Sequence, residues 1–287
     1  MKPYSFFIIA ALFTACTSTS QETSVHTIFD LKTEHSEISG LVFHPTYQKL
    51  YMLQDKGNAA ELYIYSPEGM LENTLQITNQ KNTDWEDLSQ DVQGNLYIGD
   101  FGNNNNDRKD LRILRIDAAS LNQPTADASQ ITTFFYEDQK EFPPRKNQLM
   151  YDSEAFIATD SAFYLFTKNR SKGFDGSFFV YKVPNKEGHF KAEKIAVLKG
   201  CSKYKGCAIT GAAFNHNTKQ LALISHNYIY LLPFLNDNSF RQEQLIIKDL
   251  GHISQKESIT FKTDTELWIA DEKDKTSGGK VYSFNLE

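Results

Sequence analysis

The sequence predicts an all-β domain of the β-propeller class, and two observations carry this prediction. The first is composition: hydrophobic residues make up 40% of the chain, and the 21 Phe and 14 Tyr are residue types that favour half-buried strands. The second is an internal repeat, because one pattern of apolar and polar residues returns five times along the chain, as in proteins built from stacked units. No long segment shows a helical period.

Each repeat contains three short apolar strands separated by polar turns. The first strands are residues 38–43, 85–89, 153–157, 209–214 and 256–261. The second strands are residues 50–53, 96–99, 163–166, 221–224 and 267–270. The third strands are residues 62–65, 111–114, 178–181, 228–231 and 280–284. Turn residues such as Gln93-Gly94-Asn95 separate them, as expected for antiparallel hairpins.

The spacing of the repeats predicts five blades. One position near the start of each first strand serves as an anchor for the alignment: Ser39, Glu86, Glu154, Thr210 and Glu257. Successive anchors are 47, 68, 56 and 47 residues apart. A four-stranded propeller blade typically spans about 40–50 residues, with insertions in its loops. A sixth, degenerate blade within the insertion 117–147 is the alternative. The last repeat lacks an outer strand, so we expect residues 25–31 to supply it and close the ring without an exposed edge.

The first residues have the features of an export signal. Lys2 precedes the apolar run 6–13, which is too short to span a bilayer but suits the core of a secretory signal. Cys16 follows small residues and resembles the lipobox of bacterial lipoproteins, although Phe13 stands where that motif has Leu. We therefore predict a signal peptide over residues 1–15, a tether over 16–24 that begins at a lipidated Cys16, and a propeller domain over 25–287. An ordinary cleaved signal is the alternative.

Two cysteines remain after Cys16. An exported protein folds in an oxidising compartment, where Cys201 and Cys207 are expected to pair and close a small loop. Two free buried thiols are the alternative. Export and lipidation together place the protein in the bacterial cell envelope, facing the periplasm or on the outer-membrane surface, and in contact with the membrane only through the lipid.

The anchor column predicts an acidic cluster on the ring axis. Equivalent positions of innermost strands converge there, so Glu86, Glu154 and Glu257 would meet, with Glu37, Asp84 and Asp152 two positions earlier. Such carboxylates repel one another unless they are neutralised. Bound Ca²⁺ is the simplest neutraliser, and Mg²⁺ or Mn²⁺ also accept oxygen ligands. The alternatives are basic partners, or carboxylates that cap strand starts. The candidate basic partners are Lys168, Arg170, Lys256 and Lys273.

A second set of polar residues follows the second strands, and we expect all of these loops to lie together on one face of the ring. Its members are Asp55, residues 100–108, residues 168–170, residues 226–227 and residues 271–274. Loops on one face of a propeller commonly bind ligands, and the glycine and asparagines of 100–108 tolerate a tight turn. We therefore predict ligand-binding roles for a set of side chains in both clusters: Glu37, Asp84, Asp100, Asn103, Arg108, Asp152, Lys168, Arg170 and Asp271. A solvated hairpin loop is the alternative for 100–108.

Residues 84–115 carry a resemblance to exported bacterial propellers. The pattern D-W-E-D…Y-I-G-D-x-G-D/N-N…R…I-x-R-I is common in those proteins. Four parts of this sequence resemble it: Trp85-Glu86-Asp87-Leu88, the run from Leu96 to Asn104, Arg108, and residues 111–114. The strand starts at Ser39 and Glu257 are similar to those of the SdiA-regulated family and, more distantly, of gluconolactonase-like and phytase-like esterase propellers. The resemblance to the gluconolactonase group implies a central Ca²⁺ held by Glu, Asn and Asp, with Glu86, Glu154 and Glu257 at comparable strand starts. Thr210 departs from that column.

Three functions fit these features. The first is a monomeric, lipid-anchored module that binds a small molecule or an envelope protein at an acidic, Ca²⁺-binding channel. The second is a metal-dependent hydrolase of lactones or phosphoesters, in which a channel carboxylate acts as base. The third is a structural propeller in an envelope assembly. The net charge of -6 argues against nucleic acid as a partner, and no serine-hydrolase, zinc-protease or phosphate-loop motif is present.

Overall fold

The computed structural model describes residues 25–235, 239–275 and 277–287. The regular secondary structure of these residues is almost entirely β-strand. The predicted signal, tether and lipidated Cys16 lie outside them. In chain order the strands of the first half are β1 (Val25–Asp30), β2 (Ile38–His44), β3 (Lys49–Gln54), β4 (Glu61–Tyr65), β5 (Leu71–Ile77), β6 (Trp85–Gln90), β7 (Leu96–Asp100), β8 (Arg112–Ile116), β9 (Thr125–Ala126) and β10 (Gln130–Tyr136).

The second half continues in the same way. Its elements are β11 (Ser153–Ala158), β12 (Ala162–Thr167), β13 (Ser177–Pro184), β14 (Gly188–Lys199), α1 (Tyr204–Cys207), β15 (Ile209–Asn215), β16 (Gln220–Ser225), β17 (Tyr228–Pro233), β18 (Ile246–Asp249), β19 (Lys256–Phe261), β20 (Glu266–Asp271) and β21 (Lys280–Asn285). Short 3-10 turns occur at Ala118–Ser120 and Gln242–Gln244. None of the described helices is long and apolar enough to cross a membrane.

Antiparallel hairpins order the strands into sheets. The sheet orders are β2-β3-β4-β5-β9, β6-β7-β8-β10-β14-β13-β12-β11, β15-β16-β17-β18, and β19-β20-β21-β1. The innermost strands β2, β6, β11, β15 and β19 contact one another in this order, and β19 returns to β2. This closed arrangement of meandering sheets around an axis is a β-propeller, so the predicted fold class is confirmed.

The N-terminal strand closes the last sheet, as the short final repeat predicts. β1 pairs with β21 in antiparallel register, from Val25 opposite Phe284 to Asp30 opposite Lys280. The pairing joins the two ends of the described domain. It also covers the edge that β21 would otherwise expose.

The insertion after β8 adds strands to existing sheets. Within residues 117–147 the structure has one 3-10 turn and the strands β9 and β10. β9 pairs in parallel with β5, and β10 pairs with β8 on one side and in parallel with β14 on the other. Outer edges of neighbouring units are thereby sealed to each other, which the sequence repeat did not predict.

Hydrophobic side chains between the sheets form the core. Trp85, Tyr51 and Tyr164 lie within it and are almost fully buried. Side chains alternate across each strand, so both faces of the central strands pack against neighbouring sheets, and their burial patterns are nearly continuous. This packing fixes where each innermost strand begins, and with it the position of the anchor residues.

Candidate functional site at the channel mouth

Each innermost strand has a β-bulge at its anchor residue. The register with the second strand of the same unit shifts between the residues on either side of the anchor in all five repeats. A bulged residue is left out of the ladder, and its side chain is redirected. The anchors affected are Ser39, Glu86, Glu154, Thr210 and Glu257. The sequence repeat therefore marks a repeated backbone irregularity, which frees these side chains from the hairpin.

The two hydroxyl anchors connect neighbouring units. Ser39 Oγ donates a hydrogen bond to the carbonyl oxygen of Trp85, 3.0 Å away. Thr210 Oγ1 donates in the same way to the carbonyl oxygen of Lys256, 2.6 Å away. Each acceptor directly precedes the next anchor. These short side chains are therefore used inside the ring, whereas the three glutamates reach into the mouth.

Polar residues below the anchors close the channel. The Asp87 carboxylate accepts a hydrogen bond from the backbone N–H of Phe156 at 2.9 Å, and Ser89 Oγ accepts one from that of Ala158 at 2.9 Å. Innermost strands have no further strand beside them, so these side chains satisfy N–H groups that would otherwise remain unpaired. The space left between the strands is about 20 Å³, room for roughly one water molecule. The mouth is therefore a shallow site.

Carboxylates converge at this mouth. Oxygen atoms of Asp55, Asp84 and Glu86 lie within 4.8 Å of one another, and so do those of Glu86, Asp152 and Glu154. Glu86 belongs to both groups. Either group could hold a metal ion, because several carboxylate oxygens within this distance suit a hard cation.

Basic side chains neutralise one half of the cluster. Lys168 forms an ion pair with Glu154, and its Nζ lies 4.0 Å from Glu257 Oε2. Arg170 binds Asp152 through Nε and approaches Glu154 Oε1 to 2.5 Å. The basic-partner alternative therefore describes the Asp152 and Glu154 side of the mouth.

The other two candidate cations do not contribute in this way. Lys256 is fully buried, and its Nζ donates to the carbonyl oxygens of His252 (2.8 Å) and His226 (3.2 Å). Lys273 is exposed. The carboxylates at the Asp84 side have Lys56 instead, whose Nζ lies 3.1 Å from Asp84 Oδ1.

Glu86 is the exception among the buried carboxylates of the mouth. Its side chain is only 7% exposed, yet it forms no hydrogen bond or ion pair with any residue that the structure describes. Burial, followed by the negative charges of Glu154 and Asp55, raises its pKa well above the ordinary value. A buried carboxylate without a partner is costly, so this position favours either a proton or a bound cation.

The pKa values of three neighbouring carboxylates are also raised, to different degrees. Burial raises the pKa of Asp55 to about 6 and the pKa of Glu154 to about 8. Burial, with the nearby charge of Glu257, raises the pKa of Glu272 to about 8. Burial also opposes the charge on Glu257, but Lys168 and the His226 hydrogen bond at 2.9 Å hold the pKa of that carboxyl below its ordinary value. Negative charge is therefore least compensated around Glu86.

Several predicted ligand residues are held in internal bonds. Asp100 is fully buried, and its carboxylate binds Arg108 at 3.1 Å and Arg112 at 2.8 Å. Asn103 donates its backbone N–H to Asp152 Oδ1 at 2.7 Å, and its side-chain oxygen accepts from the Arg108 N–H at 2.9 Å. These contacts order the 100–108 loop, and a ligand role for the loop stays a prediction.

Two further candidates lie at the rim or below it. Asp271 is fully buried and accepts hydrogen bonds from the Tyr282 hydroxyl and the Lys280 N–H, each at 2.8 Å. Glu37 accepts a hydrogen bond from Asn58 at 2.7 Å on the exposed side. Their ligand roles also stay predictions.

The site list from the sequence omitted four members of the mouth: Asp55, Lys56, His226 and Glu272. Asp55, His226 and Glu272 belong to the polar set predicted after the second strands, and a repeated backbone hydrogen bond positions two of them. In four repeats a residue one or two positions after the second strand donates its N–H to the carbonyl two positions before the anchor. These pairs are Asp55 to Glu37 (3.0 Å), Gly102 to Asp84 (3.1 Å), Lys168 to Asp152 (2.7 Å) and Glu272 to Gln255 (2.8 Å). This bond gives Asp55, Lys168 and Glu272, three members of the predicted polar set, equivalent positions at the mouth.

The predicted disulfide is present and lies beside the mouth. Cys201 and Cys207 are bonded, so this prediction is confirmed. The closed loop carries Tyr204, whose hydroxyl accepts a hydrogen bond from Arg170 at 3.4 Å. The disulfide loop thus contacts the residue that neutralises Asp152.

Known structures share the fold at low sequence identity. No family model matches this sequence, and neither does any curated protein. The PQQ-bound aldose sugar dehydrogenase from Streptomyces coelicolor is 9% identical with a TM-score of 0.52, over 92% of this chain and 98% of that one. A gluconolactonase from Xanthomonas campestris is 13% identical with a TM-score of 0.49, over 92% and 89% of the two chains. The WD40 repeats of RRP9 are 11% identical with a TM-score of 0.49, over 92% and 97%. The similarity to the dehydrogenase supports the propeller fold alone.

Proposed function

We propose that this chain is a lipid-anchored binding module of the bacterial cell envelope, whose channel mouth binds a divalent cation and, through it, a small molecule or an envelope protein. The observation that carries the proposal is Glu86, a residue only 7% exposed whose carboxylate has no hydrogen-bond or ion-pair partner among the described residues. A cation at this point would remove the cost of that buried charge.

The residues that would hold the cation are Glu86, Asp84 and Asp55. They share one metal-sized group, and among the described residues Lys56 alone forms an ion pair on that side. Ca²⁺ is the favoured ion, because it accepts six to eight oxygen ligands in irregular geometry. Three carboxylates leave coordination positions for ligand oxygens. Glu154 and Glu257, the other predicted metal ligands, would act as a charged rim shared with Lys168.

The proposed scaffold is a five-bladed propeller. The cyclic contacts of β2, β6, β11, β15 and β19 support this number, and so does the absorption of the insertion into existing sheets. Assignment to the SdiA-regulated group rests on the resemblance of residues 84–115.

Titration with Ca²⁺ tests the cation site directly. Calorimetry on the full chain should show one saturable site that Glu86→Gln abolishes. Glu72→Gln is a matched control, since Glu72 lies in a partly exposed ion pair with Lys49 and away from the mouth. Chelation should lower the melting temperature of the wild type alone, because a bound ion stabilises the folded state. Absence of Ca²⁺, Mg²⁺ and Mn²⁺ binding at every concentration would overturn the proposal.

A metal-dependent hydrolase of lactones or phosphoesters is the second candidate. It is supported by Glu154, whose pKa of about 8 suits a general base, next to the group that could hold a metal. Turnover of lactone or phosphoester substrates that disappears with chelator and in Glu154→Gln would favour this function. Cation binding without turnover would favour the binding module.

The lipid anchor requires a separate test. Cys16→Ser should move the protein from the membrane fraction to the soluble fraction without changing Ca²⁺ binding. Equal partitioning of both forms would contradict the anchor and would leave the cation site unaffected.

A further inference from the structure

A second cavity lies outside the mouth, on the side of the molecule formed by the sheet of β11–β14. It is a cleft of about 640 Å³ between residues 138–151, which begin within the insertion and continue past it, and residues 169–179. This volume is within the range that encloses small organic ligands. The carboxylates of the mouth do not line it, so the cleft is independent of the proposed cation site.

Aromatic and apolar side chains form part of the cleft wall. Tyr151 and Phe179 are half-buried, and Met150 is buried beside them. Lys194 lies over the Phe179 ring at 4.4 Å and pairs with Asp138 at 2.6 Å. Lys194 therefore covers one face of the Phe179 ring, and Tyr151 is the flat ring of the wall on which another ring can stack.

The side chains around the cleft carry an excess of positive charge. Asp138 is paired with Lys194, and Asp175 with Lys199 at 3.2 Å. The cations Lys140, Arg145 and Lys172 have no carboxylate partner among the described residues, and Glu141 is the one lining carboxylate in the same state. A local excess of positive charge in a chain of net charge -6 favours an anionic ligand.

Backbone hydrogen bonds hold the two walls together. Lys172 donates its N–H to the carbonyl of Lys146 at 2.7 Å, and Arg170 donates its N–H to that of Leu149 at 2.9 Å. The cleft is therefore formed before any ligand arrives. Ser171 lies in this wall, and its buried Oγ has no hydrogen-bond partner among the described residues.

We infer that this cleft binds a small organic anion with a ring body, whose ring stacks on Tyr151 and whose carboxylate or phosphate group meets Arg145 and Lys172. The ring requirement comes from the apolar wall, and the charge requirement comes from the unpaired cations. The inference does not depend on the cation site at the mouth.

Phenyl phosphate is a probe that combines both features, and phenol and inorganic phosphate carry one each. Ligand-observed NMR and calorimetry on the full chain should show phenyl phosphate binding at least about tenfold more tightly than either fragment. The double variant Arg145→Ala, Lys172→Ala should weaken phenyl phosphate about tenfold, since each exposed charge contributes modestly. Lys81→Ala removes an exposed lysine elsewhere and should leave binding unchanged.

Two further outcomes decide the inference. Tyr151→Leu should weaken phenyl phosphate and leave inorganic phosphate unchanged, if the ring stacks in the cleft. Equal affinity for phenyl phosphate and inorganic phosphate would overturn the ring requirement, and insensitivity to the double variant would overturn the location. Ca²⁺ titration of the same variants should be normal, which separates this test from that of the mouth.

Discussion

The carboxylate of Glu86 occupies the space into which a side chain at position 102 would project. A Cβ on Gly102 would lie 2.1 Å from Glu86 Oε1 and 2.5 Å from Asp84 Cγ. Position 102 belongs to the column that carries Asp55, Lys168 and Glu272 in other repeats. Because glycine has no side chain, the carboxylates of Glu86 and Asp84 can occupy this part of the mouth.

Gly102→Ala should displace both carboxylates and weaken Ca²⁺ binding about tenfold or more. The backbone at this position does not have the positive φ that favours glycine, so the effect should come from the contact itself. Calorimetry measures the loss. Gly206→Ala is the matched control, because its Cβ would meet Asn227 Cβ only at an ordinary 3.5 Å. Full Ca²⁺ affinity in the Gly102 variant would show that these carboxylates do not hold the ion.

Glu86→Gln should stabilise the metal-free protein, and increasingly so as the pH rises. Burial raises the pKa of Glu86 above its ordinary value, so the folded state binds more protons than the unfolded state. The free energy of unfolding then decreases as the pH rises above the unfolded pKa, and glutamine removes this decrease. Melting temperatures in chelator from about pH 5 to pH 8 should diverge between variant and wild type. A constant difference over this range would mean that Glu86 does not titrate there.

Arg112→Ala should destabilise the fold by about 3 kcal/mol, because it leaves the buried Asp100 carboxylate less compensated. Arg112 binds Asp100 Oδ2 through both Nε (2.9 Å) and Nη2 (2.8 Å). Arg115→Ala breaks an ion pair with Asp117 whose partners are at least one-third exposed, and it should cost less than about 1 kcal/mol. Urea denaturation compares the two. Equal losses would contradict a structural role for the Asp100 pair.

Replacing Cys201 and Cys207 by serine should cost about 2 kcal/mol, since the disulfide closes only a short loop and constrains the unfolded chain little. The loop contacts the mouth through Tyr204 and Arg170. Because neither residue is a proposed cation ligand, Ca²⁺ affinity should change less than stability does. Chemical denaturation and Ca²⁺ titration of the double variant measure the two effects. Reduction of the wild type should reproduce the stability loss, and a lack of agreement would point to an effect of the serines.

The sequence by itself determined the repeat, the propeller fold, the pairing of the N-terminal strand with β21 and the disulfide. Each follows from a local pattern: period-two apolar strands, a missing outer strand at one end with a spare one at the other, and two cysteines a few residues apart. It also brought Glu86, Glu154 and Glu257 to one level, because equivalent positions in a closed repeat converge on the axis.

Only the tertiary structure decided which carboxylate remains unpaired. Lys168 and Arg170 lie in a loop outside the anchor column, so the alignment of the anchors does not include them. Their ion pairs with Glu154 and Asp152 depend on the geometry of that loop. The same holds for Asp100, which resembles a ligand residue in the sequence but is enclosed by Arg108 and Arg112. Alignment reports which positions are equivalent, whereas neutralisation depends on distances between side chains that are far apart in the chain. In the acidic mouth first seen in the repeat, Asp84, Asp152 and Glu154 therefore have basic partners, and Glu86 has none among the described residues.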